Sequence, residues 1–207
     1  MSRRFLVLPF ILGLILGPAS CANLGQPSPK IEYYTLEYEP PSATRSGPLP
    51  FVIKVEGFSA APFHNSTRIV YRDRSYARTA YTREKWRSAP PDLVTYFLAR
   101  DLKHSGRFKA VLPYDTGQGY SHVLEGSVDE FLEWDMEDSW EAVLTFTVTF
   151  MVAKEPDVSK RVLFQKTYHA KRPCTHRNPR ALAEAMSLAM ADLSTEVIRD
   201  VYAALPK

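Results

Sequence analysis

The sequence predicts a single α+β domain in which a largely antiparallel sheet carries two helices on one face. This prediction rests on one alternating segment, residues 143–152, and on two segments with helical spacing, residues 91–105 and 178–205. In residues 143–152 large apolar side chains alternate with threonines, which is typical of a strand with one buried and one polar face. A chain of 207 residues also buries enough apolar surface to fold without disulfides or metal ions.

The first twenty residues have the pattern of a secretory signal peptide. Arg3 and Arg4 precede an apolar run over residues 5–16, and small residues follow that run. The run is too short for a transmembrane helix, which needs about 20 apolar residues. We therefore expect residues 1–20 to direct export.

Cys21 follows small residues in Pro18-Ala19-Ser20-Cys21, an arrangement that resembles the lipidation site of bacterial lipoproteins. We expect Cys21 to carry the lipid anchor, palmitate included, and the alternative is ordinary cleavage that leaves a free thiol. Each buried CH₂ contributes about 0.8 kcal/mol, so two or more acyl chains hold a protein stably at a membrane. Ala22, which stands where an aspartate favours inner-membrane retention, points to the outer membrane. Residues 21–30 are polar and contain two prolines, as a tether would, and residues 31–207 form the predicted domain.

The remaining elements follow from β-prone runs, turn residues and helix-capping residues. Strands are predicted over residues 33–38, 51–56, 68–72, 76–82, 123–134, 143–152 and 161–170. We expect the runs 123–134 and 161–170 to pair with the long strand on either side, and residues 135–139 to form a hairpin tip. Pro91 and Gly106 suit the first turn and the C′ position of the first helix, while Asn178 and Pro179 suit the start of the second.

Charge and motifs exclude several classes of function. Once Arg3 and Arg4 are set aside, 24 basic and 23 acidic side chains remain, so we expect no nucleic-acid partner. The chain has no nucleophile elbow, phosphate-binding glycine loop or zinc-protease motif, so we expect no enzyme and no cofactor.

Two clusters contain residue types that can form a catalytic or metal-binding site. Seven acidic residues lie between residues 129 and 141, where we expect a solvated hairpin tip. A hydrolase that uses Asp135 and Glu137 is the alternative. His169, Cys174 and His176 match no common zinc spacing, so we expect a connecting loop there and no metal.

The segment from residue 68 to 87 holds seven basic residues against two acidic ones, interleaved with aromatic residues. In an exported protein this mixture favours contact with anionic lipid headgroups or with an acidic protein partner. The residues expected to make that contact are Arg68, Arg72, Arg78, Tyr71 and Tyr76. The alternative is an ordinary solvated strand face.

Several short segments, read in order, resemble the ABC-type transport auxiliary lipoprotein family, which includes the PqiC-like lipoproteins. They are Tyr34-Thr35-Leu36, Ile69-Val70-Tyr71-Arg72, Trp86 with Pro90-Pro91, residues 102–108, and Val123-Leu124-Glu125-Gly126. Their order and spacing carry the resemblance, which covers residues 31–205.

The resemblance implies a sheet with helices on one side and an outer-membrane lipoprotein that faces the periplasm. It also implies an auxiliary, docking role beside an ABC transporter and an MCE-domain periplasmic protein in lipid transport between membranes. A stand-alone periplasmic lipid-binding carrier is the alternative, because Phe131, Trp134, Phe146 and Phe150 make the predicted sheet rich in aromatic rings. Bound phospholipid and assembly into a homo-oligomer both stay open.

Overall fold

The computed structural model describes residues 30–42, 47–73 and 75–207. The predicted signal peptide, Cys21 and nearly all of the tether lie outside the described residues. Within them, nine strands form one sheet: β1 (Glu32–Tyr34), β2 (Leu49–Val55), β3 (Ser59–Ala60), β4 (Arg68–Arg72), β5 (Thr79–Trp86), β6 (Phe108–Leu112), β7 (His122–Asp135), β8 (Trp140–Val152) and β9 (Val162–Pro173). The helices are α1 (Pro90–His104), α2 (Val158–Arg161) and α3 (Pro179–Ala204).

The sheet is organised around β7. One edge of β7 pairs antiparallel with β8 from end to end, and β8 pairs antiparallel with β9. The other edge of β7 pairs in turn with β2, β3 and β4, which all run parallel to it. β6 extends the sheet beyond β2, while β5 and then β1 extend it beyond β4.

The predicted α+β fold is confirmed, since the longest ladders are antiparallel and both long helices pack on one face. The alternation in β8 is also confirmed: Leu144, Phe146, Val148 and Phe150 are buried in the main core with residues of α1 and α3. Each of these large side chains contributes about 1.5–3 kcal/mol when fully buried. The threonines of β8 line the opposite, helix-free face, where Thr147 and Thr167 of β9 share a hydrogen bond of 2.9 Å.

The helix ends follow the predicted capping residues. The Asn178 side chain accepts a hydrogen bond from the backbone N–H of Ala181 at 2.9 Å, and Pro179 opens α3. α1 begins at Pro90, one residue before the predicted start. Gly106, after the end of α1, has a φ of 62°, a left-handed conformation that favours glycine.

Some predicted strand boundaries were wrong, and side-chain hydrogen bonds explain two of them. The first strand stops at Tyr34 instead of residue 38, because the N–H of Glu37 donates to Ser187 Oγ and the Tyr38 hydroxyl donates to Asp101. The strand predicted over residues 76–82 is β5, which starts at Thr79 after a local turn in which Asp73 accepts from the N–H of Ser75.

The last strand spans residues 162–173 rather than 161–170, because the short helix α2 precedes it. The Asp157 side chain caps α2 by accepting from the N–H of Ser159 at 3.0 Å. Strands β3 and β6 were not predicted. β9 is an edge strand of twelve residues, and among the described residues it pairs with β8 alone.

Gly126 allows the close approach of β7 to its neighbours. A Cβ at this position would lie 2.1 Å from the Thr147 carbonyl oxygen and 2.5 Å from Phe58 Cε1. Phe58 is buried and packs edge-on against Phe146, with 6.1 Å between ring centroids. A side chain at residue 126 would therefore displace both the β8 backbone and a core ring.

We predict that Gly126→Ala lowers the free energy of unfolding by about 1–3 kcal/mol, the usual cost of overpacking a core. Urea unfolding monitored by circular dichroism measures this change. Gly117→Ala is the matched control, because a Cβ there meets no atom within 4 Å. An equal effect of the two substitutions would contradict the steric explanation.

Candidate functional site

The five residues predicted to contact a partner lie in four different places. Alternation along β4 sends Tyr71 to the helix-bearing face and Arg72 to the helix-free face. Arg68 is exposed at the start of β4. Tyr76 and Arg78 lie in the loop before β5, where Tyr76 is fully exposed and Arg78 donates to the neighbouring Ala77 carbonyl at 3.1 Å.

On the helix-free face, two cations contact the ring of Trp134. The Arg72 guanidinium and the Lys171 ammonium each lie 3.8 Å from the ring centroid. Arg72 also lies 3.8 Å from a carboxylate oxygen of Glu130. Trp134 packs on a small buried apolar group formed by Val70, Leu132 and Val143. We call Arg72, Trp134 and Lys171 the Trp134 cluster.

Lys171 was not predicted as a contact residue, although the sequence contains a signal for it. Residues 158–180 include seven basic side chains and no acidic one, a stronger imbalance than in the segment 68–87. Several of these bases pair with acids from elsewhere in the chain. Lys166 binds Asp200 and Arg172 binds Asp192, so both link β9 to α3.

On the helix-bearing face, Tyr71 and Tyr81 lie beside Glu133. The centroids of the two rings are 5.2 Å apart, and the Tyr81 hydroxyl donates to a Glu133 carboxylate oxygen at 2.9 Å. Burial raises the pKa of Glu133. Burial, together with the neighbouring Glu133 carboxylate, also raises the pKa of Tyr81. An open cavity of about 650 Å³ adjoins this group. We call it the Glu133 cavity.

The acidic residues between 129 and 141 do not form one site. Asp129 accepts from Thr147 and Glu130 accepts from Thr145 on the helix-free face, whereas Glu133 points to the other face. Asp135 pairs with Arg177 at the end of β7. The residues between β7 and β8 form the predicted hairpin tip.

His169, Cys174 and His176 also lie apart. His169 Nδ1 is 2.8 Å from the Thr145 hydroxyl, and His176 Nδ1 is 3.2 Å from the Thr175 hydroxyl. Cys174 packs against the main core, and burial raises the pKa of its thiol to about 11. Among the described residues, no three or more His, Cys, Asp or Glu side chains are grouped to hold a metal ion.

The aromatic rings that suggested a lipid carrier line no common cavity. Phe131, Phe146 and Phe150 are buried in the main core, while Trp134 lies on the other face. The helices of the described ranges, residues 30–42, 47–73 and 75–207, include none that is long and apolar enough to cross a membrane.

Residues 34–198 match the sequence family described as ABC-type transport auxiliary lipoprotein component. Protein XCC0632 from Xanthomonas campestris, of the family DUF330, has a solved structure that covers 83% of this chain and 95% of its own, with 19% identity and a TM-score of 0.73. Protein CT253 from Chlamydia trachomatis covers 75% of this chain and 98% of its own, with 8% identity and a TM-score of 0.50. At such identities these structures show a shared fold alone. No curated protein matches this chain in sequence.

The family match covers most of the chain and confirms the resemblance drawn from the short segments. It also agrees with the absence of recognisable catalytic motifs in the sequence, since this is not a known enzyme family. Its lipoprotein character implies anchoring to a membrane of the cell envelope, and its auxiliary role implies transporter partners. The chain therefore belongs to the family of ABC-type transport auxiliary lipoprotein components.

Proposed function

We propose that this protein is anchored in the outer membrane through acylated Cys21 and docks periplasmic parts of an ABC transport system, with an MCE-domain protein as its direct partner. It acts by holding these parts together rather than by catalysis. The Trp134 cluster is the observation that supports docking. Trp and Arg are enriched among the residues that dominate binding energy at protein interfaces.

The Trp134 cluster has the composition of an interface centre. It combines an aromatic ring, two cations and an apolar base on the helix-free face. Beside it on the same face, the Thr145 hydroxyl donates to Glu130 and lies 2.8 Å from His169 Nδ1. An acidic partner surface would pair with Arg72 and Lys171 while its apolar atoms cover the indole ring.

The proposed anchor would keep the domain close to the membrane. Eight residues lie between Cys21 and Lys30, where the described part of the chain starts, so nine residue-to-residue steps join the two. Fully extended, such a segment spans at most about 30 Å. The start of the domain would therefore lie within that distance of the lipid headgroups.

We predict that Cys21→Ala moves the protein from the membrane fraction to the soluble periplasmic fraction, because the acyl chains are the anchor. Cell fractionation followed by immunoblotting measures the distribution. Cys174→Ala serves as the control, since Cys174 packs inside the domain and should leave fractionation unchanged. A Cys21→Ala protein that stays with the membranes would refute lipid anchoring.

We predict that Arg72→Gln combined with Lys171→Gln weakens partner association about tenfold, because two charge contacts, one from half-buried Arg72 and one from exposed Lys171, contribute roughly 1–2 kcal/mol. The difference should shrink at high salt, where the Debye length falls to about 3 Å. Crosslinking in isolated cell envelopes at low and at high salt, with quantitative mass spectrometry of the crosslinked MCE-domain protein, measures association. Lys160→Gln with Arg180→Gln removes the same charge from exposed sites outside the cluster. If both double variants crosslink equally, the Trp134 cluster is not the docking site.

A further inference from the structure

The Glu133 cavity lies where β4, β5 and β7 meet the segment that precedes α3. Its volume of about 650 Å³ falls within the range of pockets that bind small molecules, roughly 300–1,000 Å³. Its aromatic and charged lining residues are Tyr71, Tyr81, Arg83, Glu84, Glu133, Asp135 and Arg177. None of them takes part in the Trp134 cluster.

Glu133 is a buried carboxylate without a cationic partner in the described structure. The residue is only 3% exposed, and its two carboxylate oxygens accept from the Tyr81 hydroxyl at 3.2 and 2.9 Å. Arg177, a basic residue that lines the cavity, forms its salt bridge with Asp135 instead. Because an unpaired buried charge is costly, a cation that enters the cavity gains a strong electrostatic contact. Burial raises the pKa of Glu133, although the hydrogen bond from Tyr81 and the charge of Arg177 both act to lower it.

Two aromatic rings stand next to this carboxylate. Tyr71 and Tyr81 meet at an interplanar angle of 62°, with 5.2 Å between centroids. Tyrosine ring faces attract organic cations, and a neighbouring carboxylate adds a counter-charge. A calcium ion would need six to eight oxygen ligands, and among the described residues no three acidic side chains are grouped to hold a metal ion. The set therefore favours an organic ammonium ion over a metal ion.

We propose that the Glu133 cavity binds an alkylammonium group, with the Glu133 carboxylate as its counter-ion and the Tyr71 and Tyr81 rings as its walls. Arg83 also lines the cavity and is placed to donate hydrogen bonds to an anionic group on the same ligand. An ethanolamine phosphate headgroup and a free small amine share this ammonium chemistry. The cavity and the Trp134 cluster lie on opposite faces of the sheet. A negative result in the test of this cavity would therefore leave the docking proposal unaffected.

The test uses the full-length protein in a non-ionic detergent, with tyrosine rings labelled with ¹³C for NMR. Ethanolamine and glycerophosphoethanolamine are titrated separately, and we expect saturable shifts of the Tyr71 and Tyr81 signals. Glu133→Gln removes the charge but keeps an oxygen that accepts from Tyr81, and it should weaken binding about tenfold or more. Glu125→Gln is the matched control, because Glu125 is an exposed acid on the opposite face of the same strand. The Glu125→Gln protein should bind both probes with the affinity of the unchanged protein.

A second pair of variants keeps the test decisive if Glu133→Gln does not fold. Tyr71 is half-buried, so Tyr71→Phe should keep the ring wall and the affinity, whereas Tyr71→Leu should weaken binding. Tighter binding of glycerophosphoethanolamine than of ethanolamine would identify a lipid headgroup, and equal binding would identify a free amine. Absence of binding by both probes overturns the proposal, as does unchanged affinity in both Glu133→Gln and Tyr71→Leu.

Discussion

Backbone pairing of β7 with β8, from His122 opposite Val152 to Asp135 opposite Trp140, determines where the rest of the sheet lies. It presents one apolar face to α3 and leaves the second edge of β7 to β2, β3 and β4. Because successive side chains of a strand point to opposite faces, a shift of one residue in this pairing would exchange the two faces. The tight fit at Gly126 adds a steric constraint on the same register.

The same alternation separates the two surfaces that we associate with function. Glu133 and Trp134 are consecutive residues of β7, yet one lines a cavity on the helix-bearing face and the other contacts cations on the helix-free face. Each surface takes one further residue from β4, Tyr71 on one side and Arg72 on the other. A short β4 beside the end of β7 thus contributes one residue to each site, and β9 and β5 complete them.

Local patterns predicted the fold well and the sites poorly. Alternation in β8 and the capping residues Asn178 and Gly106 act within a few residues, so they can be read from the sequence. The parallel pairing of β2 and β3 with β7 joins residues more than sixty positions apart and leaves no local signal. Glu133 was grouped with solvated acids of the hairpin because only the partners of β7 bury it. Arg72 was predicted as a contact residue, but its neighbour Lys171 on β9 comes from a distant segment.

The free edge of β9 has a consequence for solubility. A strand of twelve residues with one unpaired edge in the described structure is a template on which other chains can add strands and aggregate. β9 carries Lys166, Lys171 and Arg172 and no acidic residue, so a second copy of this edge would bring like charges together. Bonds from Lys166 and Arg172 to α3 also hold the helix beside the strand. These basic side chains therefore help to prevent polymerisation of the protein at high concentration by edge-to-edge pairing of β9.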